Sequence, residues 1–147
     1  MDKNRVQQYL HNHIPLSQSM GVKVLEASWA RVELSAPLEP NINHRNTVFG
    51  GSAAALATLS AWTLLHFRLT EKERPVHLVI QRNTMNYEAP IHGDFMAVCS
   101  FDDKEAWERF TTMLNRKKRA RIHMESILEC NGVRVAGFAG DFVAIGP

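Results

Sequence analysis

Two stretches of the sequence hold residues whose types and spacing could do chemistry. Gly50-Gly51-Ser52 stands directly before Ala53-Ala54-Ala55-Leu56-Ala57, a run of small, strong helix formers. Glycines at a helix start let unpaired backbone N–H groups approach an oxygen closely, and the helix dipole favours negative charge there. That is the chemistry of holding an oxyanion. The same pair also permits a tight turn and close packing of helix on sheet. Arg116-Lys117-Lys118-Arg119-Ala120-Arg121 is the one strong charge cluster. It suits phosphate, or it is a solvated helix C-terminus favoured by the dipole. Between these stretches, Arg82, Asn83, Thr84, Asn86 and Glu88 bring unusual polarity into an otherwise apolar strand-like run.

Presenting the glycines requires a helix, and the spacing predicts one over residues 52–67. Residues 46–67 contain no Asp, Glu, Lys or Arg, so this helix should be enclosed by protein on every side. Gly50-Gly51, Ser52, Thr58, Ser60, Thr63 and His66 make it a buried helix and not a membrane span. The wrapping falls to strands at 76–87, 95–101, 119–130 and 133–145, the last two joined by the hairpin dipeptide Asn131-Gly132. In 119–131 one face is polar, with Arg119, Arg121, His123, Glu125, Glu129 and Asn131; the other carries Ala120, Ile122, Met124, Leu128 and Cys130. Period-two alternation over 22–35, ended by Pro37 and Pro40, predicts an earlier hairpin. Helical spacing predicts an amphipathic helix over 2–13, stopped at Ile14-Pro15, and another over 104–116 with Trp107, Phe110, Thr111 and Leu114 on one side. The order implies an α+β domain with an antiparallel sheet wrapped around one long buried helix.

Composition bounds the rest. The chain has 147 residues, 45% hydrophobic and 22% charged, with 17 Lys+Arg against 15 Asp+Glu, a net charge of +2. One domain of residues 1–147 is expected, and disorder is excluded. So small a charge argues against a nucleic-acid partner. Cys99 and Cys130 sit in strand-like runs without metal-ligand spacing, so neither a disulfide nor a metal site is expected. The polar N-terminal residues predict a cytoplasmic protein without a membrane partner. Arg134-Val135-Ala136-Gly137-Phe138-Ala139 fits the Arg-x-x-Gly-x-Ala pattern of acetyltransferase pyrophosphate loops. Such a loop must feed a helix, and residues 140–147 are strand-like, so that activity is excluded.

Asn43-His44-Arg45-Asn46-Thr47-Val48-Phe49-Gly50-Gly51-Ser52 and the Ala-rich helix behind it resemble the loop-to-helix signature of hot-dog-fold acyl-CoA thioesterases. Asn86-Tyr87-Glu88-Ala89-Pro90-Ile91-His92-Gly93-Asp94 is similar to that superfamily's strand, Pro turn and Gly-Asp entry, and residues 119–145 to its closing hairpin. More narrowly, Thr47–Ser52 and Phe142-Val143-Ala144-Ile145 resemble the thioesterase-type domain found fused behind GNAT-type acetyltransferases. The resemblance spans about 15–145. It implies a homodimer whose sheets join edge to edge, often paired again into a tetramer, with active sites at the dimer interface. It implies hydrolysis of an acyl-CoA or acyl-carrier thioester, with coenzyme A, where it is the carrier, as part of the substrate and no separate cofactor.

By matched position Gly50 is the oxyanion donor, and Asn43 and Thr58 are its catalytic companions, placing the water. Many relatives carry a histidine where Phe49 stands and an Asp or Glu where Thr58 stands. Threonine is neither a general base nor a carboxylate nucleophile unless activated. A hydroxyl bonding back to its own helix is the ordinary fate of such a residue, and loop capping that of Asn43. Phe49, Gly51 and Ser52 would contact substrate beside Gly50. Arg82, Asn83 and Glu88 would contribute from the second subunit, and Arg116, Lys117 and Lys118 would grip coenzyme A phosphates. His44 and Arg45 are further loop candidates. The missing carboxylate raises a second reading, a non-catalytic acyl-CoA-binding protein. A hydroxyacyl dehydratase is less suited, for want of the His and Glu pair.

Overall fold

The Asp2 carboxylate accepts from the N–H groups of Asn4 and Arg5 and caps α1 (Lys3–His13). Ile14-Pro15 ends α1 as expected. Proline is also favoured at a first helical position, and a short helix the sequence reading missed, α2 (Pro15–Ser19), begins there. The hairpin β1 (Lys23–Ala27) and β2 (Arg31–Ala36) follows, and then α3 (Gly50–Glu71), β3 (His77–Tyr87) and β4 (Phe95–Ser100). Next come α4 (Lys104–Lys117), β5 (Arg119–Cys130) and β6 (Val133–Ile145). The computed structural model describes residues 1–72 and 74–147. Asn131 and Gly132 both have positive φ, 53° and 76°, as a tight hairpin between β5 and β6 demands.

All six strands form one antiparallel sheet in the order β1-β2-β4-β5-β6-β3. It wraps α3, which packs on β2, β3, β4, β5 and β6. Leu56, Leu64, Leu65 and Leu69 of α3 are fully buried, each worth about 1.5–3 kcal/mol of transfer free energy. The two sheet edges differ. β1 is covered by α1, whose Gln7 accepts from the Val24 N–H at 3.0 Å and whose His11 ring bonds the Val22 carbonyl at 2.8 Å. β3 is an eleven-residue edge strand with Val79 and Tyr87 more than half exposed.

Two features of α3 depart from expectation. The helix is longer, starting at Gly50 itself and continuing through Arg68, which is buried among aromatic rings instead of ending the apolar run. Nor is it enclosed on every side. A stripe of Gly51, Ala55, Thr58, Trp62 and His66 is exposed or only half-buried, because a single copy of the sheet does not close over it. The stripe borders β3, since the Trp62 indole donates to the Leu78 carbonyl at 2.9 Å.

At the far end of that stripe His66 stacks between Trp62 (ring centres 4.5 Å apart) and Tyr9 (4.9 Å), and Tyr9 stacks on His13 at 3.9 Å. Burial first, and the neighbouring His13 second, hold the His66 pKa below its ordinary 6.5. The folded protein therefore binds fewer protons here than the unfolded chain, so this contribution is lost as pH falls from about 6.5 towards the lowered folded value. The melting temperature should fall between about pH 6.5 and pH 5, and less steeply for His66→Phe, which keeps the stack. Equal pH slopes for the two proteins would show that His66 carries none of the effect.

Candidate active site

Four hydrogen bonds fix the entrance to α3. Asn41, buried, donates its amide to the Met20 and Pro37 carbonyls at 2.9 and 2.8 Å, and its own carbonyl accepts the Phe49 N–H at 2.7 Å. The Val48 N–H donates to the Ile91 carbonyl at 2.9 Å. Asn43 ties the loop to itself: its Oδ1 accepts from the Arg45 and Thr47 N–H groups, and its Nδ2 donates to Thr47 Oγ1 at 2.8 Å. The Asn43 carboxamide is thus engaged in shaping the loop. His44 and Arg45 are exposed beside it.

Phe49 is the N-cap residue, without a side-chain cap, and Gly50 and Gly51 are the first two helical residues. Their N–H groups donate to no described residue, whereas those of Ser52 and Ala53 turn back to the Phe49 carbonyl at 2.9 and 3.1 Å. The first turn therefore offers two open donors with the dipole behind them. The Phe49 ring, 58% exposed, lies where a Cβ on Gly51 would stand, so a side chain at position 51 would have to turn this ring aside. A Cβ on Gly50 would rest 3.5–3.6 Å from the Tyr87 ring and hydroxyl, an ordinary contact. The Tyr87 hydroxyl donates to the Gly50 carbonyl at 3.0 Å and ties the end of β3 to the start of α3.

Around Gly50 lies a cleft of about 360 Å³, walled by Val48, Ala53, Tyr87, Glu88, Pro90 and Ile91. Glu88 is the carboxylate among these lining residues, held by the Arg134 Nε at 2.9 Å, and it lies beside Gly50 of its own chain where a contribution from a second subunit was expected. The Arg134 guanidinium also fills the space a Cβ on Gly137 would need. Residues 133–145 are one strand, so the Arg-x-x-Gly-x-Ala stretch lies wholly within β6 and leads into no helix.

The other expected residues are dispersed. Thr58, half-buried on the open stripe, makes no side-chain hydrogen bond to a described residue, unlike Ser60, which bonds back to Ala57 at 2.7 Å. Eight residues separate Thr58 from Gly50, about 12 Å along the helix. Asn83 lies opposite Gly140 in the exposed middle of β3. Arg82 donates to Asp141 at 3.0 Å, and Asp141 also bonds His123 Nδ1 at 2.9 Å. That row across β3, β6 and β5 holds Asp141 below the usual carboxylate range, chiefly through His123, and raises His123, chiefly through Asp141. Arg82 is therefore already paired.

Arg116, Lys117 and Lys118 are exposed, but at the wrong end to serve the cleft of their own chain. Lys118, with φ of 60°, turns α4 into β5, and Arg119 lies opposite Ile145, which lies opposite His77. Gly50 sits at Tyr87, ten residues along β3, roughly 33 Å away. The sequence reading gave no role to Tyr87 or Asn41. The tyrosine closing the polar strand was the available signal for the first; nothing in local sequence marks Asn41 as buried.

An antiparallel sheet wrapped around one long helix is the hot-dog fold. A protein of unknown function from Chlorobaculum tepidum shares this fold with a TM-score of 0.93 and 28% identity, over 99% of this chain and 94% of its own. A "putative thioesterase" from Shewanella oneidensis matches with a TM-score of 0.85 and 28% identity, over 97% and 96%. A Haemophilus influenzae thioesterase at 11% identity and a TM-score of 0.78, over 99% and 92%, shares the fold. The chain belongs to the family described as "Putative thioesterase (yiiD_Cterm)", which matches residues 3–146. Family and fold together support thioester hydrolysis. No helix among the described residues is long and apolar enough to cross a membrane.

Proposed function

We propose that the chain is a cytoplasmic acyl-CoA thioester hydrolase working as a homodimer, with each active site built from both subunits. The observation that carries the reading is the pair of unbonded N–H groups at Gly50 and Gly51, opening beside a cleft at a fixed helix start. Water attacks the thioester carbonyl, and the oxyanion settles on these donors. Glu88, on the cleft wall, takes the water proton. Collapse of the tetrahedral intermediate breaks the carbon–sulfur bond, and the thiolate of coenzyme A leaves with that proton, giving a carboxylic acid and a thiol.

The second subunit follows from two unfinished surfaces. A long edge strand with free backbone groups is a template for pairing, and β3 has no cover comparable to that of α1 over β1. Two copies related by a two-fold axis pair their β3 edges antiparallel. That pairing sets the start of one β3 beside the end of the other and covers the open stripe of α3. Thr58 cannot reach a carbonyl held by Gly50 of its own chain across about 12 Å, so Thr58 of one subunit orients water for Gly50 of the other. By the same pairing the basic corner at Arg116, Lys117 and Lys118 approaches the partner's cleft, where the phosphates of coenzyme A would extend.

The threonine at position 58 favours one other reading, a protein that binds acyl-CoA without turning it over. Thiol release from short, medium, long and aromatic acyl-CoAs, run beside thermal shift with the same ligands, separates the two. Hydrolysis of any member is the expected result; stabilisation without thiol release would establish the binding protein.

A further inference from the structure

Roughly 27 Å along α3 from Gly50, a second site is built around Arg68, which is 3% exposed. Its Nε donates to the Trp29 carbonyl and its Nη2 to the Phe101 carbonyl, both at 2.6 Å. The guanidinium carbon lies 4.8, 4.9 and 5.2 Å from the ring centres of Trp29, Trp107 and Phe101. Among the described residues no carboxylate comes within ion-pair distance of it, and Nη1 makes no hydrogen bond. Carbonyl dipoles and ring faces offset part of the cost of burying this cation, but its charge has no counter-ion and one arm of its donor fork is open. Arg68 reaches the wall of a cavity of about 380 Å³ that Trp29, Ala30, Phe101 and Trp107 also line. That size and aromatic lining are those of a small-molecule site.

We propose that this cavity binds a small monocarboxylate with a flat apolar body, its carboxylate on the open side of the Arg68 fork and its body against the indole rings. A carboxylate matches the planar donor geometry and supplies the missing charge. The remaining charged groups on the wall restrict the ligand to one negative charge. Asp102, Asp103 and Glu108 line the cavity together with Lys104, and Asp103 is committed to capping α4 through the Ala106 N–H. These exposed acids repel a multiply charged phosphate more strongly than a single carboxylate. The site lies at the opposite end of α3 from the catalytic cleft and does not depend on the catalytic reading.

Calorimetry and tryptophan fluorescence on the full chain, with benzoate as probe and benzamide as its uncharged counterpart, test the proposal. Benzoate should bind saturably and benzamide about tenfold more weakly or worse, the loss expected for a charge-assisted contact. Arg68→Gln removes the charge, but its effect could reflect misfolding. Ala30→Trp is the second variant: Ala30 is exposed, so a larger side chain fills the cavity from outside and should abolish benzoate binding without lowering the melting temperature. Absence of saturable benzoate binding, equal affinity for benzamide, or benzoate binding that survives Ala30→Trp would each overturn the proposal.

Discussion

Gly50→Pro should fold normally and lose about a hundred- to a thousandfold in kcat, the effect of deleting one oxyanion donor. The substitution is clean because of where Gly50 sits. It is the first helical residue, the position at which proline is best tolerated, and its N–H has no protein acceptor to lose. The residue before a proline prefers an extended backbone, and Phe49 already has φ of −59° and ψ of 131°. The nearest atoms to a Cβ at position 50 belong to Tyr87, at ordinary contact distance. Circular dichroism and thermal melting should therefore match the unmodified protein while thiol release collapses. Retained hydrolysis in the folded variant would remove Gly50 from the mechanism.

Thr58→Val should lose about ten- to a thousandfold in kcat while leaving stability nearly unchanged. The replacement keeps the β-branched shape and removes only the hydroxyl, which has no partner among the described residues. Had the hydroxyl bonded back to its helix, as that of Ser60 does, a stability change of about 1 kcal/mol would accompany the substitution. Its freedom to hold a water is what separates a catalytic contribution from a structural one. The split to measure is kcat against KM: a hydroxyl acting on water lowers kcat, whereas one that merely lines the groove raises KM.

How much of this was legible before folding depends on whether the signal was local. The charge-free run at 46–67, the Asn131-Gly132 turn and the alternation of β5 are local, and each became the element it implied. The approach to the helix was equally visible, because glycine, small residues and the absence of charge coincide within ten residues, although the helix begins at Gly50, two residues before the expected start. Pro15 was ambiguous: a stop for one helix is also a start for the next, and only packing decides. Arg68 was illegible, since its burial requires three aromatic residues, Trp29, Phe101 and Trp107, brought from segments up to 39 residues away. The position of the basic corner was hidden for the same reason. Sequence gives its charge, but only the strand order shows that it lies at the far end of β3 from its own Gly50. The half-open stripe on α3 was misjudged because apolar composition predicts burial without saying which chain provides it.

The central claim is that Gly50 and Thr58 meet across two subunits, and a mixing experiment tests it most directly. Gly50→Pro and Thr58→Val proteins, each expected to keep no more than about a tenth of the activity alone, are combined under conditions where subunits exchange, and thiol release is followed. Each mixed dimer then holds one site with an intact Gly50 and an intact Thr58, and one site with neither. Random exchange should restore about a quarter of the activity of the unmodified protein. Activity that stays at the level of the two parents, with mixed dimers verified by mass spectrometry, would contradict the shared site.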